Sequence, residues 1–321
     1  MSFFVQKKNV LVPHRREIGG IMNFKEFCEK VQKSIKEFYG DDVKVEIKEV
    51  DKNNGVKLTG ILLSEGDSVV SPAIYLDSYF SDYGCGREIG NIILDIINIY
   101  EKIRKNRKVD VDFFTEYEKV KKRICFKLIH YAKNQAMLSE VPHIRFLNLA
   151  IVFFYAYESE MLGSGTILIR NVHIESWNVT TDELYKQARE NTGRLFPPEL
   201  LGIEELLEEM LAGRFEDAEE YIREEMKIPM YVLTNNIRQH GAISIFYPGI
   251  LRKLAKKENA NLFILPSSIH EVVILPDTGL EMQSLKEMVQ DVNETQVAEE
   301  EILSDSVYYY DRMNGQINLL C

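Results

Sequence analysis

The chain has 321 residues, of which 45 % are apolar and 28 % charged, with a net charge of -11, a balance that excludes the disordered and fibrous classes and leaves a globular protein with a sizeable core. Its length exceeds the roughly 250 to 300 residues at which a single core stops growing, so an α+β fold of two packed subdomains is expected. The acidity argues against nucleic acid as a partner, and Cys28, Cys85, Cys125 and Cys321 form no CxxC pair and follow no secretory signal, which points to the cytosol rather than to a disulfide framework or zinc ribbon.

The first twenty residues are basic, and their apolar run is broken by Gln6, Lys7, Lys8 and Asn9, which a signal peptide would not tolerate. Gly19-Gly20 can be encoded by a ribosome-binding sequence one codon before Met22. Residues 1–21 therefore read as a leader from a mis-assigned start, with translation expected to begin at Met22. The intact mass of protein made from the native gene tests this, and a dominant species starting at Met1 would refute it.

From Asn23, an acceptable N-cap, Phe24, Phe27, Cys28, Val31, Ile35 and Phe38 recur at helical spacing. Two β-rich runs follow, Val43 to Val50 and Val56 to Leu63, joined by a segment ending in Asn54-Gly55, whose positive φ suits a hairpin. Ala73 to Leu76 reads as a third strand, and Glu88 to Lys105 as a helix with one isoleucine-rich face. A polar helix is expected over Val109 to Val120, then a strand or buried turn over Arg123 to Tyr131. These elements make an N-terminal α+β lobe, 22–140.

A C-terminal lobe, 141–321, begins after Pro142 with strands over Leu147 to Ala156 and Thr166 to Arg170. Helices follow over Val172 to Asn178 and Asp182 to Asn191, the second capped by Thr180 or Thr181 with Glu183 in a capping box. Between Glu199 and Glu225 stand eleven acids against two bases, so an acidic helical insertion is expected near 199–228, with helices over Ile203 to Leu211 and Phe215 to Met226. Four short strands come next, Tyr231 to Thr234, Ala242 to Tyr247, Leu262 to Leu265 and Glu271 to Leu275, interrupted by a helix over Gly249 to Lys257. A helix over Glu281 to Val292 and a hairpin, Val307 to Tyr310 with Gln316 to Leu320, close the chain. Short strands mixed irregularly with helices indicate α+β rather than a doubly wound sheet.

No Walker A loop, GxGxxG, HExxH, GxSxG or EF-hand loop occurs, so no cofactor is expected, and the six histidines offer no pair at metal-ligand spacing. No apolar run reaches the roughly 18 to 20 residues a membrane helix needs. The densest polar cluster is Leu265-Pro-Ser-Ser-Ile-His-Glu271. Ser268 and His270, two apart, would share a face of a strand and could act as nucleophile and base, while Ser267 and Glu271 lie beside them. The plainer reading has the serines bonding their own loop and His270 capping a strand end. In Thr234-Asn-Asn-Ile-Arg-Gln-His-Gly241, Asn235, Arg238 and His240 sit in a polar turn that could hold an anion. In Pro142-His-Ile-Arg145, His143 and Arg145 would project to one side of an extended segment. His173 and Trp177, four apart, would stack on a short helix.

Several of these segments together resemble the uncharacterised bacterial domain-of-unknown-function family DUF5688. They are Asn54-Gly-Val-Lys-Leu58, Pro142-His-Ile-Arg-Phe-Leu-Asn-Leu-Ala-Ile-Val152, Glu190-Asn-Thr-Gly-Arg194, Met230-Tyr-Val-Leu-Thr-Asn235, Leu265-Pro-Ser-Ser-Ile-His-Glu271, Asn293-Glu-Thr-Gln-Val297 and Leu303-Ser-Asp-Ser-Val307. The resemblance implies a shared fold and no activity. Asn148 stands where the resemblance would place Asp, which argues against carboxylate chemistry there. Two functions follow from the residues: a binding or regulatory module recognising a macromolecular partner, a protein being the class in view, or a small anion through C-terminal-lobe loops, and a hydrolase using Ser268 or Ser267 with His270.

Overall fold

Helix α1, Phe24–Tyr39, starts on a complete capping box: Asn23 Oδ1 accepts the Glu26 N–H at 3.0 Å, and Glu26 returns a carboxylate oxygen to the Asn23 N–H at 2.9 Å. The structure is a computed structural model describing residues 22–65, 73–105, 114, 116–159, 163–203 and 229–320. The helical spacing read from the sequence is realised by Phe27, Cys28, Val31 and Ile35, all buried, whereas Phe38 is exposed. Strands β1, Lys44–Asp51, and β2, Lys57–Ser64, pair antiparallel, and Asn54 and Gly55 supply φ values of 61° and 74° between them. Strand β3, Ala73–Tyr75, pairs with β2 and completes a sheet of order β1-β2-β3.

Helix α2, Leu76–Gly84, was not legible because it carries little apolar periodicity; Asp77 anchors it by accepting the Thr59 N–H at 2.8 Å. Helix α3, Ile89–Lys105, buries Ile92 and Ile96 against Phe27, Val31, Ile61 and Leu63. The polar helix expected over Val109 to Val120 is seen at its end, α4, Tyr117–Val120; residues 109–113 and 115 lie outside the described residues. So do residues 1–21 and the acidic helices, apart from Ile203.

The described residues divide into two compact units, the smaller holding those within 22–116 and 157–165, the larger those within 117–156 and 166–320. In the larger unit, β4, Ile124–His130, and β5, His143–Phe146, flank antiparallel on either edge the part of β6, Leu149–Ser159, that lies in this unit, and β7, Gly163–Leu168, also pairs with β6. Leu149 to Ala156 are all buried, so the continuous apolar run reflects a strand covered on both faces.

Helix α5, Gln135–Leu138, is a single turn; α6, Asn171–Trp177, places His173 and Trp177 in a stack with ring centroids 5.8 Å apart, as their spacing suggested. Helix α7, Thr181–Leu195, carries the anticipated Thr180/Glu183 box and is pinned to β4. Asn191 Nδ2 donates to the carbonyls of Lys121 (2.7 Å) and Ile124 (2.8 Å), and Thr192 Oγ1 accepts the buried Phe126 N–H at 3.1 Å. The Glu190–Arg194 segment is therefore fold-building.

A second sheet in this unit has the order β13-β12-β10-β11-β9-β8. Its strands are β8, Pro198–Gly202, β9, Tyr231–Asn235, β10, Leu262–Leu265, β11, Val272–Pro276, β12, Tyr308–Asp311, and β13, Gln316–Leu319. Every strand pair with a described register is antiparallel, as an α+β fold requires. Helices α8, Ile250–Glu258, and α9, Met282–Thr295, fall where the sequence placed them.

Two further segments differ from the sequence reading. Pro198–Gly202, at the head of the acidic stretch, is an edge strand, a position that tolerates both Pro198 and Glu199. Ala242 to Tyr247 is not a strand: Gly241–Phe246 forms a 3-10 helix. Both edges of β9 are already taken, by β8 and β11, so the following apolar residues have no ladder to join and coil instead. Gly241 through Ile245 are buried there.

Candidate functional site

The turn after β9 is organised by one side chain. Asn235 Oδ1 accepts the N–H groups of Ile237 (3.2 Å) and Gln239 (3.3 Å), and its Nδ2 donates to the Gln239 carbonyl at 2.8 Å. Arg238 and His240 take left-handed φ values of 53° and 54°, an excursion that this bracing sustains. The result is an ordered turn that exposes Asn236, Ile237 and Gln239, with Ile237 44 % exposed. Arg238 Nε lies 3.9 Å from Glu199 on the neighbouring edge strand.

The turn ends on two imidazoles. His240 and His270 stack with centroids 5.7 Å apart and planes inclined by 17°, and the ring of Phe154 on β6 is tilted against His240, also at 5.7 Å. The His240 N–H donates to His270 Nδ1 at 3.2 Å, so the ring proton of neutral His270 sits on Nε2, which faces Glu301 Oε1 at 3.5 Å. His240 itself keeps an edge near the surface, but its Nδ1 is buried without a hydrogen-bond partner. Burial, reinforced by Lys127 on β4 and by His270, holds the His240 pKa well below the ordinary imidazole value.

Residues 266–271 are not a strand, so the two-residue periodicity that would put Ser268 beside His270 does not apply. Ser268 is wholly buried, and its Oγ accepts the His270 backbone N–H at 3.0 Å, closing a local turn. Both ring nitrogens of His270 face other groups, and its side chain makes no hydrogen bond with the Ser268 hydroxyl. Ser267 is buried, and its carbonyl accepts the Leu303 N–H at 2.9 Å. Glu271 is 2 % exposed at the start of β11. The loop is laced to the segment after α9: Ile269 N–H donates to the Glu301 carbonyl, Ser304 N–H to that of Pro266, and Ser268 bridges Ile302. Two segments that the family resemblance singled out thus run side by side.

His143 and Arg145 do share a side of β5, as their spacing implied. Both meet Tyr131, His143 with ring centroids 6.2 Å apart and Arg145 with its guanidinium 4.5 Å from the ring. His143 Nδ1 is 3.0 Å from the Val141 carbonyl, and Arg145 Nε donates to that of Leu147. No hydrogen bond or ring contact joins them to His240 or His270 among the described residues.

A further cluster was missed. Asn148 donates from Nδ2 to the hydroxyls of Ser304 (3.1 Å) and Ser306 (3.2 Å), and its Oδ1 accepts the Tyr308 hydroxyl. Ser304 Oγ also accepts the Ser306 backbone N–H and lies 3.3 Å from Tyr308 Oη, so the side chains of Asn148, Ser304 and Tyr308 close one ring of hydrogen bonds, to which Ser306 is joined by its hydroxyl and its backbone N–H. Burial pushes the Tyr308 phenol up to about 12. An amide at 148 serves both donors and acceptors here, which accords with Asn rather than Asp. The signal lay in two of the family segments, but 156 residues separate Asn148 from Ser304 and no local pattern joins them.

Among the described residues no group of three His, Cys, Asp or Glu is placed to hold a metal ion, and no helix is long and apolar enough to cross a membrane. Neither a curated protein nor a solved structure matches the chain. A family model, described as a family of unknown function (DUF5688), matches residues 24–312, nearly the whole length. Of the segments that carry the resemblance, Asn54–Leu58 forms the β1–β2 hairpin of the smaller unit and the rest lie in loops, strands and a helix of the larger one, and the chain belongs to this family, DUF5688.

Proposed function

We propose that the protein is a binding module that recognises a protein partner through the turn 235–240 and the adjoining loop 266–271 of the larger unit. The observation that supports this reading is the braced turn: the Asn235 side chain, accepting two hydrogen bonds and donating one, fixes a backbone that displays Ile237 between Asn236 and Gln239. A preorganised apolar side chain at a turn tip reduces the ordering cost of association. A small anion is less well served, because His240 is held neutral and Arg238 already faces Glu199. The hydrolase alternative lacks support in the geometry, since an activated serine needs an imidazole nitrogen at its hydroxyl and Ser268 Oγ accepts a backbone N–H instead.

A photo-crosslinking residue at position 237 tests the proposal against the same residue at Met313, an 86 % exposed position on another turn of the same unit. A discrete adduct formed in host extract at 237, absent at 313 and abolished by Asn235→Ala, is expected. Equal labelling at both positions would overturn it. A fluorophosphonate is expected to leave the folded protein unmodified, and an adduct on Ser268 would restore the hydrolase reading.

A further inference from the structure

The six-stranded sheet ends on two strands of different character. At one edge, β8 carries Pro198 and Glu199, the residue types with which natural sheets discourage further pairing. At the other, β13 is Gln316-Ile-Asn-Leu319, continuing into Leu320, with no charge, no proline and no strand beyond it among the described residues. The Leu320 N–H donates to the Val307 carbonyl at 3.0 Å, and Asn318 lies opposite Tyr309 and Gln316 opposite Asp311. In an antiparallel ladder this turns the backbone groups of Gln316, Asn318 and Leu320 toward β12 and those of Ile317 and Leu319 outward. Cross-strand partners share a face. Ile317 and Leu319 oppose Tyr310 and Tyr308, both buried, yet Leu319 is 40 % exposed, with no strand beside it among the described residues.

We propose that β13 pairs antiparallel with β13 of a second copy of this chain, joining two six-stranded sheets across a two-fold axis at Asn318. The sequence about that axis is self-complementary. Ile317 of one copy faces Leu319 of the other, twice, and their outward N–H and C=O groups form the ladder between them. Asn318 faces Asn318 across the axis, where two amides can hydrogen-bond, and Gln316 faces Leu320. An isologous contact brings each residue type against its symmetry mate's neighbourhood, so a charged strand would repel itself, whereas this one does not. The short strand buries little surface, so the association is weak and reversible.

Sedimentation velocity of the full chain over a concentration series tests this. A monomer–dimer equilibrium is expected for the unmodified chain. Leu319→Pro removes an outward N–H that no internal ladder bond uses, and Leu319→Lys sets a lysine in the pairing; each is expected to leave only monomer at concentrations where the parent is mostly dimer. Met313→Lys, the same change of charge on the adjoining turn, is expected to dimerise like the parent. Far-ultraviolet circular dichroism checks folding, and Leu319→Lys carries the test if the proline variant is misfolded. A parent that stays monomeric throughout leaves the edge to some other strand and overturns the proposal. Dimers that persist in Leu319→Lys, or open-ended growth in place of a dimer, overturn it as well.

Discussion

Replacing Gly241 by alanine is expected to destabilise the larger unit by about 3 kcal/mol or more, a large effect for one methyl group. A Cβ at this position would meet Thr234 Oγ1, the His270 carbonyl oxygen at 2.5 Å and the Asn235 nitrogen at 2.8 Å. Two of those atoms are backbone. The third is fixed as well, because Thr234 Oγ1 donates to the same His270 carbonyl at 2.8 Å. Relief would have to come from moving β9 away from the loop before β11, and those strands are directly hydrogen-bonded. The φ angle at Gly241 is ordinary, so the penalty comes from contact and not from torsion. Gly193, in the last turns of α7, has nothing within 4 Å of its would-be Cβ; alanine there is expected to be neutral or to stabilise by up to about 1 kcal/mol. Urea unfolding of the two variants beside the parent measures the contrast. A Gly241→Ala loss below about 1 kcal/mol would show that the junction of β9 and the 266–271 loop yields easily.

The second large effect is a loss of stability on mild acidification. His240 has its pKa held well below the ordinary 6.5 by burial, with Lys127 and His270 adding to it, while the unfolded chain returns the imidazole to that ordinary value. Below pH 6.5 the unfolded state therefore binds a proton that the folded state does not. Stability is full above that pH and falls by about 1.4 kcal/mol per pH unit below it, until the folded-state pKa is reached. His130 and His173 are shifted in the same direction, chiefly by burial, and add to the slope. The carboxylates with lowered pKa values, Glu46 and Glu183, titrate below this window and do not obscure it. Denaturation midpoints of the parent and of His240→Gln across this pH range check the assignment: the variant is expected to lose close to one proton's worth of slope. An unchanged slope would mean that His240 is solvated and titrates normally.

Both predictions fall on the same short stretch. The turn character of 235–240 was evident from its polar residues; the stacking of His240 on His270 and the approach of Glu301 to His270 Nε2 are tertiary contacts, and Glu301 was not singled out from the sequence. The strand assigned to Ala242–Tyr247 and the shared face assigned to Ser268 and His270 failed for one reason. Each assumed an extended chain, which holds only where a ladder partner keeps it extended. β9 has no free edge to offer the first segment, and the second is tied to residues 301–304 in an irregular loop.

What the sequence by itself determined is local. The Asn23/Glu26 and Thr180/Glu183 boxes, the Asn54-Gly55 hairpin, the stacked His173 and Trp177 and the buried run through β6 are each fixed by groups within a few residues, or by periodicity along one element. What only the tertiary structure decided is which distant elements share an edge or a hydrogen bond. Pro198–Gly202 became a strand because β9 had an edge to fill, Gly241 became indispensable because the His270 carbonyl approaches it, and Asn148 became the hub of a cluster with Ser304, Ser306 and Tyr308. These partners lie tens to more than a hundred residues away, so the free energy that selects each conformation has no trace in the flanking sequence.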